Sequence, residues 1–132
     1  MALFGFQRRR SFSQPCPDWP WVLTVNGMPA GSFEWRDILR GLRGLRPDAD
    51  SFLILEQNNP QNDKEYWFLQ TALNLAGECA GWYTVECGFS TPEGPVLLHR
   101  DVPELAEAAA VFKRAFQDGE LEVAQFQGGG AP

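Results

Sequence analysis

Apolar residues recur along the chain with two different periods, and the switches between them divide it into elements. Residues 21–25 (WVLTV) read as a short first strand, closed by the turn pair Asn26-Gly27. Ser32 then reads as a helix N-cap. Phe33, Ile38, Leu39, Leu42 and Leu45 follow it on an approximately helical period. Gly41 and Gly44 weaken the end of that helix, and Pro47 stops it. Four strands come next: 51–57 (SFLILEQ), 65–73 (EYWFLQTAL), 81–89 (GWYTVECGF) and 95–100 (PVLLHR). Asn, Asp, Gly and Pro fill the connections, so neighbouring strands are expected to pair antiparallel as a meander. Residues 73–80 suit either an extended segment or a helical turn. A second helix opens with Asp101 as N-cap and Glu104 as its N3 carboxylate. Leu105, Ala108, Ala109, Phe112 and Phe116 make its apolar face, Lys113 and Arg114 sit in its last turns, and Gly119 suits its C-terminal cap. Residues 121–126 read as a last strand.

This order predicts an α+β fold, a mainly antiparallel sheet of five or six strands with two helices packed on one face. Residues 1–18, rich in Ser, Gln, Pro and Arg, read as a flexible N-terminal tail. Residues 19–127 form a single α+β domain, and 128–132 a disordered C-terminus. At 132 residues the chain can bury about two thirds of its extended surface, enough for a core without disulfides or a structural metal. Hydrophobic residues make up 44 % and charged residues 21 %, which separates the chain from disordered sequences.

Charge changes the picture. The net −6 hides an asymmetry. Residues 1–46 carry seven Lys and Arg against three Asp and Glu, a net +4, whereas residues 47–132 carry four against fourteen, a net −10. An acidic body argues against nucleic acid as a partner and favours a cationic one. Arg36, Arg40 and Arg43 are spaced to share the outer face of the first helix. No apolar run is long enough for a membrane span. Arg8-Arg9-Arg10 follow the first apolar residues instead of preceding them, unlike a signal peptide, so the expected location is cytoplasmic. Cys16, Cys79 and Cys87 form no Cys-x-x-Cys pair and read as free thiols.

Catalytic chemistry finds little to stand on. His99 is the single histidine, and there is no Gly-x-Ser-x-Gly elbow, no phosphate loop and no metal-ligand spacing, so no cofactor and no metal are expected. Glu56, Gln70, Glu86 and His99 all lie late in their strands. Were the register to bring Glu56 and Glu86 together, one carboxylate would rise in pKa and a small enzyme using Glu56, Glu86 and His99 becomes conceivable. The plainer reading is the polar side of a one-sided sheet, which can also bind protein. Trp67, Trp82, Tyr66 and Tyr83 on the same strands are typical interface anchors, although alternation must point half of them into the core.

Residues 51–126 resemble the small immunity proteins of bacterial polymorphic toxin systems, immunity protein family one in particular. The resemblance lies in an aliphatic strand ending in an acid (FLILE), an aromatic strand (YWFLQ) and a strand with Tyr-x-Val-Glu (YTVE). A short strand, an Ala/Phe-rich helix and a final short strand follow. It implies an inhibitor without enzymatic residues that occludes the active site of a cognate toxin, such as a deaminase or nuclease effector. The partner is expected to be basic around that site. The contacts expected are Glu56, Asp63, Glu65, Glu86 and Glu93, with Trp67 or Trp82 as apolar anchor. An adaptor or chaperone for a secreted effector is the alternative.

Overall fold

The turn chemistry produces the expected meander and extends it. The computed structural model describes residues 11–128. Its strands are β1 (Trp21–Val25), β2 (Met28–Pro29), β3 (Leu53–Asn59), β4 (Asn62–Leu73), β5 (Tyr83–Thr91), β6 (Gly94–Val102) and β7 (Gln127–Gly128). Helix α1 (Trp35–Arg43) lies between β2 and β3, and α2 (Leu105–Lys113) follows β6. All strands join one antiparallel sheet in the order β2-β1-β3-β4-β5-β6-β7. The class is α+β, with seven strands instead of five or six.

One short strand, β2, is added and the expected last strand is displaced to β7, and each change has a local cause. Asn26 and Gly27 both take positive φ, 52° and 83°, the geometry of a two-residue hairpin, so the chain turns back as β2 before α1. The expected strand at 121–126 is instead a 3₁₀ turn at Val123–Gln125, and pairing begins only at Gln127. Leu121 and Phe126 differ in parity, so a strand would point them to opposite faces. The turn buries both in one core.

Period-two alternation decides which face is covered. Leu23, Leu53, Leu55, Trp67, Leu69, Val85, Cys87 and Leu98 point to one side and are buried beneath Ile38 and Leu42 of α1 and Ala108 and Phe112 of α2. Gly41 lets α1 approach closely, since a Cβ there would stand 2.6 Å from Leu53 Cδ1. It is thus a packing residue as well as a weak helix former. The helix starts also shift from the expected positions. Glu34, not Ser32, is the N-cap of α1, and its N–H donates to Asp37 Oδ2 at 2.8 Å. Asp101 remains within β6, and Glu104 caps α2, with its N–H donating to Glu107 Oε1 at 3.2 Å. Each cap works through the next acid along the chain. A π-helical turn, Arg114–Asp118, prolongs α2 and ends at left-handed Gly119, φ 67°. It buries Ala115 and places Phe116 against Trp21 and Phe33, with ring centroids 5.7 and 5.6 Å apart.

The tail expected over 1–18 needs correcting where it is described. Residues 11–18 form a strap across the covered face; residues 1–10 lie outside the described residues. Gln57, almost fully buried, accepts from the Cys16 N–H (2.9 Å) and donates to the Cys16 and Trp19 carbonyls (2.8 and 3.1 Å). Trp67 Nε1 donates to the Ser13 carbonyl at 2.9 Å. Gln14 donates to the Leu121 carbonyl and accepts its N–H, at 3.0 and 2.7 Å. A Pro- and Ser-rich segment without periodicity is ordered here by side chains that read its backbone. At the other end Gly128 pairs with Leu98, so the expected disorder from 128 onward does not begin there; residues 129–132 lie outside the described residues.

Two outcomes test this packing. Phe112→Ala empties a fully buried ring site and should cost about 3–5 kcal/mol in denaturant unfolding. A loss below about 1 kcal/mol would place Phe112 outside the core. Gln57→Leu removes the partner of three backbone groups and should cost about 3 kcal/mol or more, at about 1–3 for each buried group left unsatisfied. It should also speed thiol labelling of half-buried Cys16 relative to Cys79. Burial pushes the Cys87 thiol up, so that cysteine should stay unlabelled in the folded protein. Unchanged stability and Cys16 labelling would show that other contacts hold the strap.

Candidate protein-binding face

The opposite parity of the same strands forms a second face that no helix covers. Register aligns its side chains in rows across the sheet. One row runs Val22, Glu56, Phe68, Gly88, Leu97, and the next runs Thr24, Ile54, Gln70, Glu86, His99, Gln127. A third continues through Ala72, Thr84 and Asp101. Val22 and Leu97 are 41 % and 42 % exposed, large values for aliphatics on a sheet. Phe68 lies flat over Gly88, where an added Cβ would overlap its ring, and stacks on Tyr66 with centroids 6.1 Å apart. The aromatic thus covers backbone that a side chain at position 88 would otherwise cover.

Polar groups on this face are joined locally. Gln70 Nε2 donates to Glu86 Oε1 at 2.6 Å. Thr84, Asn74 and Asp101 form a second cluster. Asn74 Nδ2 donates to Asp101 Oδ1 at 3.2 Å, and the Thr84 hydroxyl lies 2.8 Å from that same oxygen and also against Asn74 Oδ1. The open-face positions of β1, β3, β5 and β6, with 66–72 of β4, include Glu56, Glu86 and Asp101 but no Lys or Arg. Arg36, Arg40, Arg43 and Arg46 are exposed on or just after α1, on the helix side of the molecule.

The structure separates the residues expected to act together. Glu56 and Glu86 share the open face but not a row, and β4 runs between their strands, about 10 Å across two strand spacings. They do not form a carboxylate pair. Glu86 and His99, in contrast, are direct cross-strand neighbours. Trp67 is fully buried on the covered face with its indole N–H satisfied, so it is a core residue and not an anchor. Trp82 is half-buried just before β5, where its carbonyl accepts the Asn74 N–H at 2.8 Å. Asp63, Glu65 and Glu93 lie near the β3–β4 and β5–β6 hairpins, which share one end of the sheet. Asp63 and Glu93 are exposed there, and Glu65 accepts from Asn59 Nδ2 at 2.8 Å.

Sequence reasoning missed the apolar members of the face: Val22, Ile54, Phe68 and Leu97. One signal was present. Gly88 interrupts a strand of β-formers, and an isolated glycine in a strand marks close approach by another group. Pairing Gly88 with Phe68 needed the register. Among the described residues no three His, Cys, Asp or Glu side chains converge as metal ligands would, and no helix is long and apolar enough to cross a membrane. Comparison with protein-family models, with curated proteins and with solved structures finds no match for this chain.

Proposed function

We propose that the open face of the sheet docks a folded protein partner with a basic surface, and that the chain is an inhibitor of the immunity type. In this reading it protects by occluding the active site of a cognate toxin, such as a deaminase or nuclease. The observation that carries the proposal is the composition of the uncovered face. Exposed Val22 and Leu97 lie in one row with Phe68, and the three rows of the face hold three carboxylates and no Lys or Arg, with Lys64 of β4 outside these rows toward the β3–β4 hairpin. A merely solvated sheet face has no need of aliphatics at this exposure, and apolar side chains with a polar rim are the usual make-up of a protein interface. The resemblance of residues 51–126 to immunity protein family one supports the same class. The apolar anchors are Val22, Phe68 and Leu97 in place of Trp67, and Glu56, Glu86 and Asp101 are the charged contacts. Toxins acting on nucleic acid need cationic groups around their active sites, so carboxylates on this face complement them and raise the encounter rate.

The test is co-expression and purified binding with the product of the adjacent reading frame. Glu56→Arg combined with Glu86→Arg should slow association by about tenfold or more at low salt. Raising the salt should slow the native protein's association more than it speeds dissociation. Leu97→Arg should instead raise the dissociation rate and weaken binding by about 30-fold or more, the size of a hot-spot loss. Protection and binding unchanged in a variant that combines Glu56→Arg, Glu86→Arg and Leu97→Arg would overturn the open-face reading. A partner captured only while unfolded would favour the chaperone function.

A further inference from the structure

At one end of the open face lies a groove of about 380 Å³, lined chiefly by Phe52, Ile54, Gln70, Ala72, Thr84 and Glu86. That volume suits one long side chain and is at the lower end of the range of small-ligand pockets, about 300–1,000 Å³. Its floor is apolar, and one wall is rich in oxygen acceptors. The backbone of Phe52 is fixed beside it, since its N–H donates to Asn26 Oδ1 at 2.9 Å and its carbonyl accepts the Asn26 N–H at 2.8 Å.

The polar wall has more acceptors than donors. The Gln70 amide holds Glu86 by Oε1, and Glu86 Oε2 has no hydrogen bond among the described residues. The Thr84 hydroxyl carries one hydrogen but faces two acceptors, Asp101 Oδ1 and Asn74 Oδ1. The Asn74 amide cannot be turned to resolve this, because its Nδ2 already donates to the Cys79 carbonyl and to Asp101, each at 3.2 Å. With the hydroxyl turned to Asn74 Oδ1, Asp101 Oδ1 keeps the Asn74 amide proton. The spare acceptors are then Glu86 Oε2 and Asp101 Oδ2, which have no hydrogen bond among the described residues, so the carboxylates leave net negative charge at the groove. A ligand that satisfies this wall must bring several N–H donors and a positive charge, and must lay an apolar stem on Ile54 and Ala72.

We infer that this groove is a guanidinium pocket that receives one arginine side chain of the partner, with its plane against Phe52 and its N–H groups on Glu86 and the Thr84–Asn74 oxygens. The inference rests on the open-face docking reading and names the chemistry that the partner presents there. Arginine fits better than lysine for two reasons. A planar fork reaches two acceptor sites at once, and its face stacks on an aromatic ring, whereas an ammonium is a compact, strongly hydrated point charge.

The probe is N-acetyl-arginine methylamide, titrated into the ¹⁵N-labelled full chain and followed by NMR. The neutral citrulline analogue and the lysine analogue are run beside it. Saturable shifts should appear for residues 52–54, 70–74 and 84–86 with arginine, weaker ones with lysine and none with citrulline. Glu86→Gln keeps the shape and should weaken the arginine analogue about tenfold, the loss expected for one charge-assisted hydrogen bond. Thr84→Val should weaken it by a smaller factor. Equal shifts with citrulline, shifts centred elsewhere, or a natively folded Glu86→Gln variant with undiminished binding would overturn the pocket. The two proposals fail separately. If Leu97→Arg abolishes the toxin complex while the arginine analogue does not bind, docking stands and the pocket falls. If the analogue binds the groove but open-face substitutions leave the complex intact, the pocket stands and the docking reading falls.

Discussion

The rest of the structure depends on one inequality: a sheet has two faces, and this chain has cover for one. The long strands β3 to β6 make a surface that two nine-residue helices barely span. The covering layer must therefore be packed economically. Gly41 brings α1 down onto Leu53 and Val25, Ala108 and Ala115 do the same for α2, and the π-helical turn swings Phe116 over Trp21. The gap that remains is filled by the strap at residues 11–18. Because the strap's own backbone bonds are local turns, Gln14 N–H to the Ser11 carbonyl and Trp19 N–H to the Cys16 carbonyl, polar groups of the core must hold it to the sheet, and that accounts for a buried glutamine at position 57 and for the indole N–H of Trp67 aimed at Ser13.

The open face is the complement of that economy. Its residues occupy the alternate positions of the same strands, so they are held by the backbone geometry that builds the core, with little freedom to rearrange. Phe68 over Gly88 and Gln70 against Glu86 fix the centre of the face further. A surface set in this way loses little conformational entropy on binding, because its side chains are already ordered in the free protein.

Much of this was legible in the sequence, and the limits have physical causes. Local signals carried the meander, both helices and Gly119 as a cap, because hydrophobic period and turn chemistry act within a few residues. The helix starts moved because each N-terminus offers two cap candidates: Asp37 and Glu107, as N3 acceptors, select Glu34 over Ser32 and Glu104 over Asp101, a choice that a sequence pattern cannot weigh. The strap was illegible because its order comes from Gln14, Gln57 and Trp67, partners up to 107 residues away. The face of each strand residue depends on register. Trp67 and Phe68 are neighbours of the same chemical type, and one pairing offset decides which is core and which is surface. The same offset separates Glu56 from Glu86.

Layering also separates charge. The first helix carries Arg36, Arg40 and Arg43 outward, and Arg46 follows it. Three of these stand beside an acid, Arg36 with Glu34 at 3.7 Å, Arg40 with Asp37 at 3.6 Å and Arg46 with Asp48 at 3.7 Å; such exposed pairs hold little energy, but at a distance each is close to neutral. Glu56, Glu86 and Asp101 stand on the far side of the sheet. The result is a helix side on which acids and bases are interspersed, since Glu104, Glu107, Asp118, Glu120 and Glu122 lie on or around α2 and the turns after it, and an open face whose acids share their rows with no Lys or Arg. A cationic partner within a Debye length of that face, about 8–10 Å, meets chiefly its own carboxylates, because charges farther off are screened. That local attraction follows from placing Glu56, Glu86 and Asp101 at strand positions whose cross-strand neighbours carry no positive charge, and it does not depend on the net −6 of the whole chain.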